Sequence, residues 1–130
     1  MSAYILDVTS DNFSEAVLSN SHKGPVMVNY WAENAGPCLR LWPVLEKLAN
    51  DYNGQFLLAN VDTNKEKQLA HDYGVNSVPT VKLFINGSVV DQVHGYDSPD
   101  SFKKMLDKYL ARESDKDLAE AVAQYLSLIH

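Results

Sequence analysis

Cysteine is almost absent from this chain: Cys38 is the only one in 130 residues, so no internal disulfide can form. Apolar residues nowhere run to the roughly 20 in succession that a membrane-spanning helix needs. The opening Met1-Ser2-Ala3-Tyr4-Ile5-Leu6-Asp7 lacks a basic segment followed by an apolar stretch, so no secretory signal is read there. With a single thiol, these absences lead to the expectation of a reducing, cytoplasmic setting with no membrane partner. Basic residues are also scarce. Eleven Lys and Arg stand against 17 Asp and Glu, a net charge of −6, which argues against non-specific nucleic-acid binding. His22, His71, His94 and His130 show no metal-ligand spacing, and one cysteine cannot complete a set. No Gly-rich phosphate loop and no Ser/His/Asp arrangement stands out. Neither a metal nor a cofactor is therefore expected.

What is present is the composition of a globular domain, 45% hydrophobic and 22% charged. Tyr4 to Val8 is a short β-rich run, and Thr9, Ser10 and Asp11 offer an N-cap for a first helix reaching about Asn20. Ser21 to Gly24 reads as a loop. Pro25 to Trp31 and Gln55 to Asp62 read as buried strands. Between them Leu41, Leu45, Leu48 and Tyr52 form a helical stripe, with Pro43 inside it expected to kink the helix and Asn53-Gly54 closing it. Asn64 to Tyr73 reads as a short helix stopped at Gly74. Thr80 to Ile85 and Val89 to Val93 flank Asn86-Gly87, a hairpin signal. Ser98-Pro99 opens a last core helix with Phe102, Met105, Leu106, Tyr109 and Leu110 on its apolar face.

The order β-α-β-α-β-α-β-β-α predicts an α/β domain over residues 1–112, a central mixed sheet with helices on both faces. Residues 113–130 fall outside that scheme as a C-terminal helical extension. There Leu118, Val122, Tyr125 and Ile129 recur at i+4, i+3 and i+4. The stripe suggests an interface for further helical repeats or a second chain (a dimer), the alternative being that it folds back on its own domain.

Four motifs then occur in a fixed order: Trp31-Ala32-Glu33-Asn34-Ala35-Gly36-Pro37-Cys38, Pro43 within the following helix, Val78-Pro79-Thr80, and Asn86-Gly87 followed by Gly95. In these the chain resembles the thioredoxin family over about residues 4 to 112. The resemblance implies a thioredoxin fold, a helix-kinking Pro43 and a cis peptide bond before Pro79. It also implies two departures. The family's attacking cysteine, a thiolate activated at a helix N-terminus, corresponds to Ala35, leaving only the resolving position, Cys38. The buried Asp and Lys that often accompany the dithiol correspond to Asn29 and Asn60, neither of which titrates. The Trp before the first cysteine has become Asn34.

Among thioredoxin-like proteins the sequence is most similar to chaperedoxins, bacterial proteins that join such a domain to tetratricopeptide-type repeats and hold unfolded clients for folding chaperones. Some of them lack the first cysteine. Pro43-Val-Leu-Glu-Lys-Leu-Ala and Leu106-Asp-Lys-Tyr-Leu-Ala-Arg-Glu carry this finer likeness. It implies a protein-interaction domain without dithiol reductase activity, whose partners are polypeptide clients or chaperones. The expected contact surface comprises Trp31, Asn34, Ala35, Gly36, Pro37, Val78, Pro79 and Gly95, with an extended peptide pairing beside Val78. Two readings of Cys38 stand side by side: a lone redox thiol, making the chain a monothiol disulfide oxidoreductase in redox homeostasis, or a small buried residue of the first helical turn.

Overall fold

A computed structural model describes residues 3–110 together with Leu126 and Leu128. Five strands form one sheet in the order β1-β3-β2-β4-β5, where β1 is Ile5–Asp7, β2 Val26–Trp31, β3 Leu57–Asp62, β4 Thr80–Ile85 and β5 Ser88–His94. β3 runs parallel to both β1 and β2, while β4 is antiparallel to β2 and β5. The sheet is therefore mixed, as the element order predicts. Asn86 and Gly87 both take positive φ, 54° and 81°, so the β4–β5 turn has the backbone that a tight hairpin requires.

Alternation along the strands splits the core in two. Met27, Leu58, Val81 and Leu83 point to one face, where they meet Leu41, Leu45 and Leu48 of α1 (Gly36–Tyr52) and Phe102 and Leu106 of α3, helical over residues 99–110. Val28, Tyr30, Ala59, Val61 and Phe84 point to the other, against Phe13, Val17 and Leu69, the last on α2 (Lys67–Asp72). Full burial of each large apolar side chain contributes about 1.5–3 kcal/mol. Tyr52 fastens the ends of α1 and α3 by donating its hydroxyl to Asp107 at 2.8 Å; burial, and after it the Asp107 carboxylate, pushes its pKa up to about 12. Pro43 lies within α1, which continues past it to the left-handed cap at Asn53 (φ 48°). Having no N–H, Pro43 leaves the Leu39 carbonyl without its intrahelical partner.

The first helical segment departs from expectation. Helical backbone begins at Phe13, runs π-helical over Ser14–Ser19 and ends as a 3₁₀ turn over Asn20–His22. The expected cap at Thr9 to Asp11 does not form; Asn12 Oδ1 instead accepts the Thr9 N–H at 2.7 Å and the Ser10 N–H reaches Glu66. Nor is Ser21 a loop residue. It is buried, its hydroxyl donates to the Leu18 carbonyl at 2.6 Å and accepts the Gly87 N–H at 2.7 Å, and its carbonyl accepts from Asn86. The helix end is thus latched to the hairpin turn. Leu118, Val122, Tyr125 and Ile129 lie outside the described residues. No helix among the described residues is long and apolar enough to cross a membrane.

Replacing Ser21 by Ala leaves the Gly87 N–H without its acceptor. Urea unfolding is expected to show a loss of about 1–3 kcal/mol, the cost of an unmade buried hydrogen bond, with the slope of the transition unchanged.

Candidate functional site

Ala35 takes an extended conformation (φ −107°, ψ 113°) immediately before α1 and has no side-chain atom with which to cap the helix. Its carbonyl accepts from Cys38 N at 3.0 Å and Leu39 N at 3.3 Å, which begins the first turn. Cys38 follows in that turn, facing inward and only 1% exposed. Burial pushes its thiol pKa up, and a hydrogen bond with the Ala32 backbone offsets part of that rise. Oriented N–H groups at a helix start favour an anion, but here desolvation is the larger effect. The half-buried end of the loop carries a methyl group at Ala35, and the only thiol, Cys38, is buried in the turn that follows.

Asn29 and Asn60 are 1% and 3% exposed. They stand opposite one another in the β2–β3 register, and Asn29 Nδ2 donates to Asn60 Oδ1 at 3.1 Å. One amide contact thus occupies the place where the family resemblance implies an acid–base pair. Asn29 Oδ1 and Asn60 Nδ2 find no partner among the described residues. Neither side chain can take up or release a proton.

The loop from Trp31 to Ala35 has a cleft on each side. The first, of about 310 Å³, is lined by Asn34, Ala35 and Val78 together with Asn64, Asn76 and Ser77. Asn64 Nδ2 donates to Asn34 Oδ1 at 3.2 Å, fixing Asn34 in the loop. The Val78–Pro79 bond is cis, and the Pro79 carbonyl accepts the Gly95 N–H at 2.8 Å. Arg40 lies over the Tyr96 ring at 5.9 Å, bringing the Gly95–Tyr96 loop beside the first turns of α1.

The expected contact residues are therefore only partly assembled. Asn34, Ala35 and Val78 share one cleft, and Pro79 and Gly95 adjoin it. Gly36 and Pro37 begin α1 without lining that cleft. Trp31 lines the second cleft instead, with its ring edge-on to Trp42 at 4.8 Å. Sequence reasoning missed Asn64, Asn76 and Trp42. No periodicity marks the two asparagines, and Trp42 lies off the apolar stripe of α1.

Comparison with known proteins agrees with the fold. The family model described as Thioredoxin matches residues 4–108. Thioredoxin 2 of Chlorobaculum tepidum is 36% identical over 110 residues, covering 85% of this chain and 99% of that protein. The thioredoxin of Staphylococcus haemolyticus is 37% identical over 106 residues, 82% of this chain and 98% of its own length. The thioredoxin of Pseudomonas aeruginosa is 39% identical over 89 residues, with 68% and 81% covered.

Asn29→Asp would place a carboxyl in the buried amide site without a cationic partner. At pH 7 the expected destabilisation is about 3–5 kcal/mol, as for an uncompensated buried charge. Burial raises the folded-state pKa of such a carboxyl above its unfolded value, so the protonated form is the one the fold accepts. The penalty grows as pH rises through that interval and shrinks toward pH 4. Urea unfolding across pH checks both size and sign, and adding Asn60→Lys is expected to recover part of the loss at pH 7.

Proposed function

This chain belongs to the thioredoxin family, and we propose that within it the chain is a polypeptide-binding domain without dithiol disulfide reductase activity. The observation that carries this reading is the buried Cys38 behind Ala35. Disulfide reduction by a dithiol needs an accessible attacking thiolate and a second thiol to resolve the mixed disulfide. Here one thiol exists, and burial holds it protonated. The Asn29–Asn60 pair supports the same reading, because no titratable group stands in the place from which the family's Asp assists proton transfer. The names of the relatives say thioredoxin and nothing of client binding. The likeness of the α1 and α3 segments to chaperedoxins adds a role in holding unfolded clients in the cytoplasm and passing them to chaperones.

The amide-lined cleft supplies the chemistry for such binding. Asn34, Asn64 and Asn76 carry both donors and acceptors, which suits the main chain of an extended peptide regardless of its sequence. Half-buried Ala35 and Val78 offer small apolar ground between them. A second reading, a monothiol disulfide oxidoreductase acting through Cys38, draws on the hydrogen bond from the Ala32 backbone, which favours the thiolate.

Insulin disulfide reduction and Cys38 alkylation, run side by side, separate the two. The expected result is no turnover. Alkylation at neutral pH is expected to be about a hundredfold or more slower than in the unfolded chain, because the thiol reacts only through local opening. Turnover that Cys38→Ser abolishes would establish the monothiol enzyme instead. In parallel, a chemically unfolded, carboxymethylated protein titrated into the full chain is expected to bind equally well to wild type and Cys38→Ser. A failure to bind would remove the client-holding role.

A further inference from the structure

α1 and α3 pack on the same face of the sheet and leave a groove of about 340 Å³ between them. Pro43, Val44 and Leu48 of α1 and Pro99 of α3 give it apolar walls, and Lys103 stands on its α3 side. Pro43 and Pro99 are exposed and Val44 is only half-buried. The two helices run the same way along the groove. Pro43 and Pro99 share its lining at one end, and Tyr52 donates to Asp107 beyond the other. At a rise of 1.5 Å per residue these ends are about 12–14 Å apart.

Where the chain goes next identifies an occupant. α3 reaches Leu110 at the Tyr52–Asp107 end of the groove, and 20 residues follow. A segment that turns back at this point runs antiparallel to α3, toward Pro99. Leu118, Val122, Tyr125 and Ile129 recur there at helical spacing. As a helix they span about 16 Å, the length of the groove to within one turn. Leu126 and Leu128 are helical and exposed, and on such a helix they fall about 70–90° to either side of that stripe. Charge agrees as well. Residues 113–130 carry Glu113, Asp115, Asp117 and Glu120 against Lys116 alone. Lys47 is paired with Asp51, whereas Lys103 and Lys108 are exposed and have no carboxylate partner among the described residues.

We propose that residues 115–130 dock as a helix in the groove between α1 and α3, antiparallel to α3, with the stripe Leu118, Val122, Tyr125 and Ile129 against its apolar walls. The proposal does not rest on the polypeptide-binding reading. With residues 111–114 as the turn, Asp115 comes level with Leu110, Asp117 with Lys108, and Val122 with Lys103. An amphipathic helix of this length is marginal alone in water. The tether holds it near the groove at an effective concentration in the millimolar range, so a modest apolar contact suffices.

Disulfide trapping in the full chain carrying Cys38→Ser tests the docking. Lys103→Cys is combined with either Val122→Cys or Ala123→Cys, neighbours in sequence whose side chains point about 100° apart on a helix. On oxidation, the Val122→Cys pair is expected to close within one chain about tenfold faster than the Ala123→Cys pair. Equal rates, or no bond in either, would overturn the proposal, because a segment with no fixed face presents both positions alike. Bonds formed between chains, at a rate that rises with protein concentration, would overturn it too and assign the groove to a second copy. A second measurement needs no introduced thiol. Tyr125→Asp is expected to shift the backbone amide resonances of Val44, Lys47, Leu48 and Lys103 and to leave those of β1 in place. Unmoved groove resonances would refute the docking.

Discussion

Position at this site is set by the parallel ladder between β2 and β3. It runs for six residue pairs without a bulge, from Val26 opposite Leu57 to Trp31 opposite Asp62. That register sets Asn29 against Asn60 and brings Trp31 level with Asp62. Beyond its end the Thr63 N–H and hydroxyl both reach the Trp31 carbonyl, at 2.9 and 3.0 Å, so the two outgoing loops leave as a pair. Both clefts are bounded by these loops. A slip of β2 by one residue would turn Asn29 to the opposite face and leave Asn60 without its partner. Val26, Met27 and Val28, all fully buried, hold the strand against that slip.

The same ladder pairs two buried amides, Asn29 and Asn60. A buried acid and a buried amine would be stable only as a pair, because either alone leaves a charge in low dielectric. Two asparagines satisfy each other through one hydrogen bond and need no proton. The site is therefore indifferent to pH where an acid–base pair would respond to it. The cost is two unpartnered amide atoms, a smaller penalty than one unpaired charge. Cys38 belongs to the same logic. With Ala35 ahead of it and burial raising its pKa, the thiol packs as a small apolar side chain.

Much of this was legible in the residues. The alternation of the strands, the Asn86-Gly87 turn, the stripe Leu41, Leu45, Leu48 and the Ser98-Pro99 start each report a local preference, and local preferences survive folding when no tertiary contact opposes them. The first helix shows the limit. Its cap and its regular α-helical turns were expected from spacing, yet Ser21 is drawn inward to the hairpin turn 66 positions away, and the backbone takes π and 3₁₀ turns. Trp31 was expected on the peptide face and lines the other cleft. Alternation in the loop after β2 sends neighbouring residues to opposite sides, and nothing in a motif says which side is which.

The sequence by itself determined the fold class, the order of the elements and the lone thiol. Each is a matter of residue identity or short-range periodicity. Only the tertiary structure decided that Cys38 is buried, that Asn29 meets Asn60, that Asn64 holds Asn34, and that Asp7, Asp62, Glu33 and Glu66 converge on one cleft. The reason is separation along the chain. Asp7 and Asn60 become neighbours only because β1 and β3 pair in one register, and such pairing is set by the packing of the whole sheet.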